Sequence, residues 1–226
     1  MEKSNHGKFL IPYSNHFHFS TTAFPPDTAH VLNNERCPAE EKLCGEEYRV
    51  KKIYILLTQT QTRFSKFLRA MTHTEYTHVS IAFDRELKHL YSFGRRSMLF
   101  PFLAGLVKED PHGGVFLKFE GTKCMLFEVE VTNPEYFEIR RLLAEFLEEQ
   151  QTYKYNFLGL VFMKLNIPLR RERKFVCSQF VGYLLEKSGT AQFEKEYTLL
   201  RPEDFLKIEQ KKLIYSGPLQ EYANAG

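Results

Sequence analysis

"KFVCSQFVGYLLEKSG", residues 174–189, is the stretch on which the reading of the chain turns. From Cys177 onward, Phe180, Val181, Leu184 and Leu185 recur at three- and four-residue intervals, the spacing of one helix face. Gly189 follows the last periodic residue, where a left-handed C-cap glycine belongs. Cys177 therefore falls in the first helical turn, among backbone N–H groups that have no partner within the helix. Such a cysteine is either a small buried hydrophobe or a nucleophile. For the second role the helix dipole is not enough. It is worth about 0.3–1 kcal/mol, or ~2 when partly buried, which shifts a thiol by about one pKa unit. A thiol activated at neutral pH needs an imidazole beside it.

His78 is the candidate partner. In "YTHVSIAFD", residues 76–84, alternation sends Val79, Ile81 and Phe83 to one face of a strand and His78, Ser80 and Ala82 to the other. The histidine shares its face with small residues, which leaves room over it for a helix terminus or a substrate. His73, His89 and His112 fall in turns or a Pro–Gly loop and serve less well.

Outward from these two segments, the chain orders itself as follows. Residues 1–48, with "FPPDTAH" and "NNERCPAEEK", specify no packed element and read as a poorly ordered extension. A single domain is expected over 49–226. It opens with the strand "KKIYILLTQT" (51–60), followed by a helix in "TRFSKFLRAM" (62–71) with Phe64, Phe67, Leu68 and Met71 on one face. "YTHVSIAFD" and "KHLYSFGRR" form a hairpin, and residues 97–114 read as a long structured loop. "GVFLKFE" (114–120) and "KCMLFEVEV" (123–131) read as strands. Asn133 and Pro134 read as the cap and first residue of a helix through 150. A short helix in "NFLGLVFMKL", the cysteine helix, a turn or two in "RPEDFLKI" and a last strand "KKLIYSG" complete an α+β domain with a mainly antiparallel sheet.

Composition narrows the class. Of 226 residues, 43% are hydrophobic and 21 are Phe with no Trp, so much of the core is phenylalanine. A net charge of +3 gives no case for nucleic acid. No run approaches the ~20 apolar residues of a membrane span, and the start lacks a signal peptide's apolar core. A cytoplasmic protein with free thiols is the expectation. Four cysteines are few for a disulfide framework. His6, His16, His18, His30, Cys37 and Cys44 lie in the aperiodic front segment at no recognised zinc spacing, so no metal is expected there. Arg95 and Arg96 could receive an anionic group, "RRERK" (170–174) could meet phosphate or a membrane surface, and "LFPFLAGLV" could line an acyl groove. Solvated strand ends, a solvated loop and a core lid are the plainer readings of the three.

A strand bearing "THVSIAFD", a hairpin partner and a late helix opening "FVCSQFV" together resemble the circularly permuted branch of the NlpC-type papain-like superfamily. That branch holds the YiiX/YebB-like proteins and the lecithin retinol acyltransferase-like enzymes. The resemblance spans about residues 51–207, since "LRPEDFL" resembles the segment that follows the cysteine helix there. It implies a permuted papain-like fold with the nucleophile at a helix N-terminus. It also implies a cysteine-dependent hydrolase or acyltransferase without a cofactor, acting on an amide or ester of a small molecule, lipid or peptide. Cys177 would attack the carbonyl, His78 would shuttle the proton, and the Cys177 N–H would help hold the oxyanion. Family members carry a polar residue on the following strand that orients the imidazole. Here Ser92 aligns with it, a weaker orienter than a carboxylate. Glu109 or His89 reaching in from elsewhere, or a silent module that keeps the cleft only to bind, are the alternatives.

Overall fold

Strand β1 (Lys51–Gln59) is apolar at every position from Ile53 to Leu57, and all five side chains are buried. A strand buried on both faces must lie inside a sheet covered on both sides. The computed structural model bears this out; it describes residues 50–225 apart from 63, 64, 67, 68, 70–73, 97–103 and 120. The expected extension over 1–48, its His and Cys residues, and the apolar face at Phe64, Phe67, Leu68 and Met71 lie outside the described residues.

The fold is α+β. Six strands pair in the order β4-β3-β2-β1-β5-β8, every neighbour antiparallel. They are β2 (His78–Ala82), β3 (Leu90–Arg95), β4 (Ala104–Glu109), β5 (Lys123–Val131) and β8 (Lys211–Pro218), with β1 near the middle. On one face Ile53, Ile55, Leu57, Val79, Ile81 and Phe93 pack against helix α2 (Asn133–Glu148) and helix α4 (Cys177–Lys187). On the other, Tyr54, Leu56, Ala82 and Leu126 meet Phe116 of α1 (Gly114–Lys118) and Leu219 of α5 (Leu219–Ala225). The first core is aromatic at its centre, with Phe93 5.1 Å from Phe180 and Phe146 5.2 Å from both Phe175 and Phe180, ring centre to ring centre. Truncating one such ring to alanine costs about 3–5 kcal/mol.

The β2–β3 hairpin forms as its pattern requires, with Ile81 opposite Tyr91. Its turn is tied by Asp84, whose carboxylate accepts the Lys88 and His89 N–H groups. Three expectations differ from the structure, which also holds a pair of strands that the sequence does not announce. Residues 104–109 form an edge strand where a loop is expected. "GVFLK" is one helical turn and not a strand, with Phe116 buried and Leu117 exposed. Thr132, not Asn133, caps α2: its hydroxyl accepts the Glu135 N–H at 3.4 Å and the Glu135 carboxylate accepts the Thr132 N–H at 2.7 Å, the reciprocal pattern of a capping box. A short parallel pair, β6 (Lys154–Tyr155) and β7 (Lys174–Phe175), delivers the chain to the cysteine helix. No helix among the described residues is long and apolar enough to cross a membrane.

Candidate active site

Cys177 is the first residue of α4, and the tip of that helix is fixed from three sides. Val176, the cap, offers no side-chain acceptor, so Gln179 supplies one: its Oε1 accepts the Val176 N–H at 3.1 Å. The same amide donates to the Thr198 carbonyl at 2.8 Å and accepts from Asn156 at 3.3 Å. Ser178 donates to the Leu200 carbonyl. Farther along, Gly182 gives Leu200 room, since a Cβ there would sit 2.3 Å from Leu200 Cδ1. At the far end Gly189 has φ +80°, the left-handed cap its position suggests. Everything in "CSQFVG" that is not apolar therefore holds the cysteine in place.

His78 opens β2, and its ring lies near enough to the Cys177 sulfur for the sulfur to favour its charged form. The two segments singled out in the sequence meet. Their route differs from the expected one. α4 packs on the Val79 and Ile81 face, whereas the His78, Ser80 and Ala82 positions alternate to the other. The contact is made at the strand's first residue, where the ring reaches the helix tip at the end of the sheet.

The space over Ser80 is filled by Glu109 of β4. Its Oε1 lies 2.8 Å from His78 Nε2, and Ser80 donates to its Oε2 at 2.5 Å. Ser92 sits elsewhere: it is fully buried and its hydroxyl donates to the Val79 carbonyl at 2.7 Å, tying β3 to β2. His89 is exposed and pairs with Asp84 at 2.8 Å. The carboxylate that meets the imidazole is thus Glu109, from the segment the sequence presents as a loop.

Electrostatics follow from this arrangement. Burial disfavours a charged His78 ring, but the Glu109 carboxylate and the Cys177 sulfur together outweigh it and hold the imidazole well above its ordinary 6.5. Tyr155, at the end of β6, is the neighbour that sequence reasoning missed. Burial and the adjacent Cys177 push its phenol well above its ordinary value, against Arg95, so the hydroxyl keeps its proton beside the sulfur. The signal was faint: Tyr155 is brought there by two-residue strands that no periodicity announces. Burial lowers Arg95 below its usual range, while Arg96 is committed to the Gln150 carbonyl at 2.6 Å. Cys124, the other thiol among the described residues, is pushed up to about 12 by burial and is chemically quiet.

Beside His78 and Glu109 lies a cavity of about 490 Å³, lined also by Arg95, Tyr155, Phe157 and a row of hydroxyls including Thr60 and Thr77, while Cys177 is buried behind that lining. That is the size of a site for a small molecule or one arm of a larger one. Among the described residues, no group of three His, Cys, Asp or Glu side chains is placed to hold a metal. No protein-family model matches the chain, and no curated protein matches it.

Proposed function

We propose that this chain is a cysteine hydrolase or acyltransferase with a permuted papain-like fold, working through Cys177, His78 and Glu109. The observation that carries the reading is an imidazole that hydrogen-bonds a carboxylate and lies beside the sulfur of a helix-tip cysteine. A nucleophile, a base and an orienter for the base are the three parts that acyl transfer through a thioester requires.

In the first half of the reaction the Cys177 proton rests on His78, whose charged ring Glu109 and the sulfur favour, and the sulfur bonds to the acyl carbonyl carbon. The carbonyl electron pair moves onto oxygen, toward the Cys177 N–H at the helix start and the protonated Tyr155 hydroxyl. Collapse of that adduct expels the amine or alcohol, which leaves with the proton from His78. Water or a second alcohol or amine then attacks the thioester, His78 takes its proton, and the sulfur is released beside the charged ring. Glu109 keeps the ring oriented and stabilises its charged form throughout, so it is a positioning residue. The silent-module reading leaned on a weak third position, and a carboxylate at that place removes its main support.

An acyl probe that leaves a stable thioester is the direct test. Wild-type protein is expected to gain one acyl group on the peptide containing Cys177, and Cys177→Ala to gain none. Equal labelling of the two proteins overturns the reading.

A further inference from the structure

Helix α3 (Phe157–Lys164) is apolar on both sides although it lies at the surface. Its inner side, Leu160 and Met163, packs on Val176 and Tyr155, the residues that lead to the sulfur and flank it. Its outer side exposes Phe157, Leu158, Val161 and Leu165 at 37%, 46%, 50% and 60%, and Ile167 just beyond adds 46%. Leu158, Val161 and Leu165 follow three- and four-residue steps, so they form one stripe. Asn166, at φ +56°, turns the chain back so that the Ile167 N–H meets the Phe162 carbonyl at 2.9 Å, which brings Ile167 against the same end of the helix. Of the eleven large apolar side chains exposed among the described residues, these five fall within eleven consecutive positions.

The segment that carries the stripe is also basic. Residues 154–174 hold six basic side chains against one acid, Glu172, so this segment carries +5 while the whole chain carries only +3. Arg170 and Arg173 are paired with Glu196 and Glu149. Lys154, Lys164, Arg171 and Lys174 have no carboxylate partner among the described residues. An exposed apolar stripe in a segment with four cations that have no carboxylate partner among the described residues matches the hydrocarbon boundary and anionic headgroups of a lipid surface.

We propose that the outer face of α3 docks on an anionic lipid bilayer, with Leu158, Val161 and Leu165 in the headgroup–acyl boundary and Lys154, Lys164, Arg171 and Lys174 on lipid phosphates. The contact is peripheral and needs no spanning segment. Phe157 lines the cavity beside His78 as well as the stripe, so the docked face borders the site. Docking does not depend on the chemistry at Cys177.

The chain contains no Trp, so Leu158→Trp in the full-length protein gives a single reporter. Its emission is expected to shift to the blue on adding equimolar phosphatidylcholine–phosphatidylglycerol vesicles. Vesicles of phosphatidylcholine alone are expected to give little shift, and Leu213→Trp, on exposed β8, none with either. In co-sedimentation, Lys154→Glu with Arg171→Glu is expected to lower vesicle binding at least about 25-fold, since each lost cation is worth about fivefold, and salt is expected to weaken it further. No shift at Leu158→Trp, or equal binding by the charge-reversed variant, overturns the proposal. A dimer that dissociates on Leu158→Ser with Val161→Ser, without vesicle binding by wild type, also overturns it, in favour of a second copy as the occupant.

Discussion

Glu109 Oε1 stands 2.8 Å from His78 Nε2 although a whole strand, β3, runs between their own strands. The crossing takes place over Gly94. A Cβ there would sit 3.3 Å from Glu109 Oε1 and 3.8 Å from His78 Cε1. A missing side chain on the middle strand is what lets an edge-strand carboxylate reach the histidine, and Ser80 receives its other oxygen.

Replacing that carboxylate should reverse the balance on the ring. In Glu109→Gln, burial dominates and His78 should titrate well below the wild-type position when its ring protons are followed by NMR. Acyl transfer should fall by roughly 10²–10⁴-fold. The stability effect has a definite sign: a raised imidazole contributes stability that is fully present below 6.5 and is lost as pH rises through the folded-state value. Wild-type protein should therefore unfold at lower urea at about pH 9 than at about pH 6, and Glu109→Gln should show a smaller difference.

The passage over β3 can be closed without touching either charge. Alanine at 94 asks the carboxylate to give by a few tenths of an ångström, and His78 should stay raised. Valine adds two more carbons in the same gap, so Gly94→Val should lower the His78 titration as Glu109→Gln does. A valine variant that titrates like wild type would place the crossing elsewhere.

Ser92→Ala separates sheet structure from chemistry. Its hydroxyl serves the Val79 carbonyl, so the variant should lose about 1 kcal/mol of stability in urea unfolding. Acyl transfer per folded molecule should be unchanged.

In the proposed mechanism Tyr155 serves the oxyanion and not the nucleophile. Tyr155→Phe should slow thioester formation by about 10²-fold while leaving alkylation of Cys177 by iodoacetamide, which develops no oxyanion, near the wild-type rate. Equal loss in both assays would make Tyr155 part of the cysteine's packing.

Local rules carried much of this in the bare sequence. The 3.6-residue period, the Gly189 cap and the position of Cys177 at the helix start are all short-range features, as are the alternation and turn of the β2–β3 hairpin. The third member of the site was harder to see. Glu109 lies at the end of "AGLVKE", an edge strand with a Gly and an outward Lys that dull its alternation, and its role depends on an empty place at Gly94 on the strand between it and its target. Ser92 has the residue type and the approximate register of an orienter, but its hydroxyl is taken up by the neighbouring strand's carbonyl. "GVFLK" reads as a strand from its Val and Phe, and a single turn after two glycines is too short for helical periodicity to emerge. The capping box at Thr132 and Glu135 was legible and was displaced by the attraction of Asn-Pro. Tyr155 and the apolar face of α3 became meaningful only once β6 and β7 joined them to the cysteine helix.

The rate at which iodoacetamide labels Cys177, mapped by peptide and compared with His78→Ala, tests the paired sulfur and imidazole most directly. At about pH 6.5, below the ordinary thiol range near 8.5, wild-type Cys177 should react far faster than a free cysteine, with Cys124 unlabelled and the advantage lost in His78→Ala. A Cys177 that reacts no faster than free cysteine, or equally fast without His78, contradicts the account.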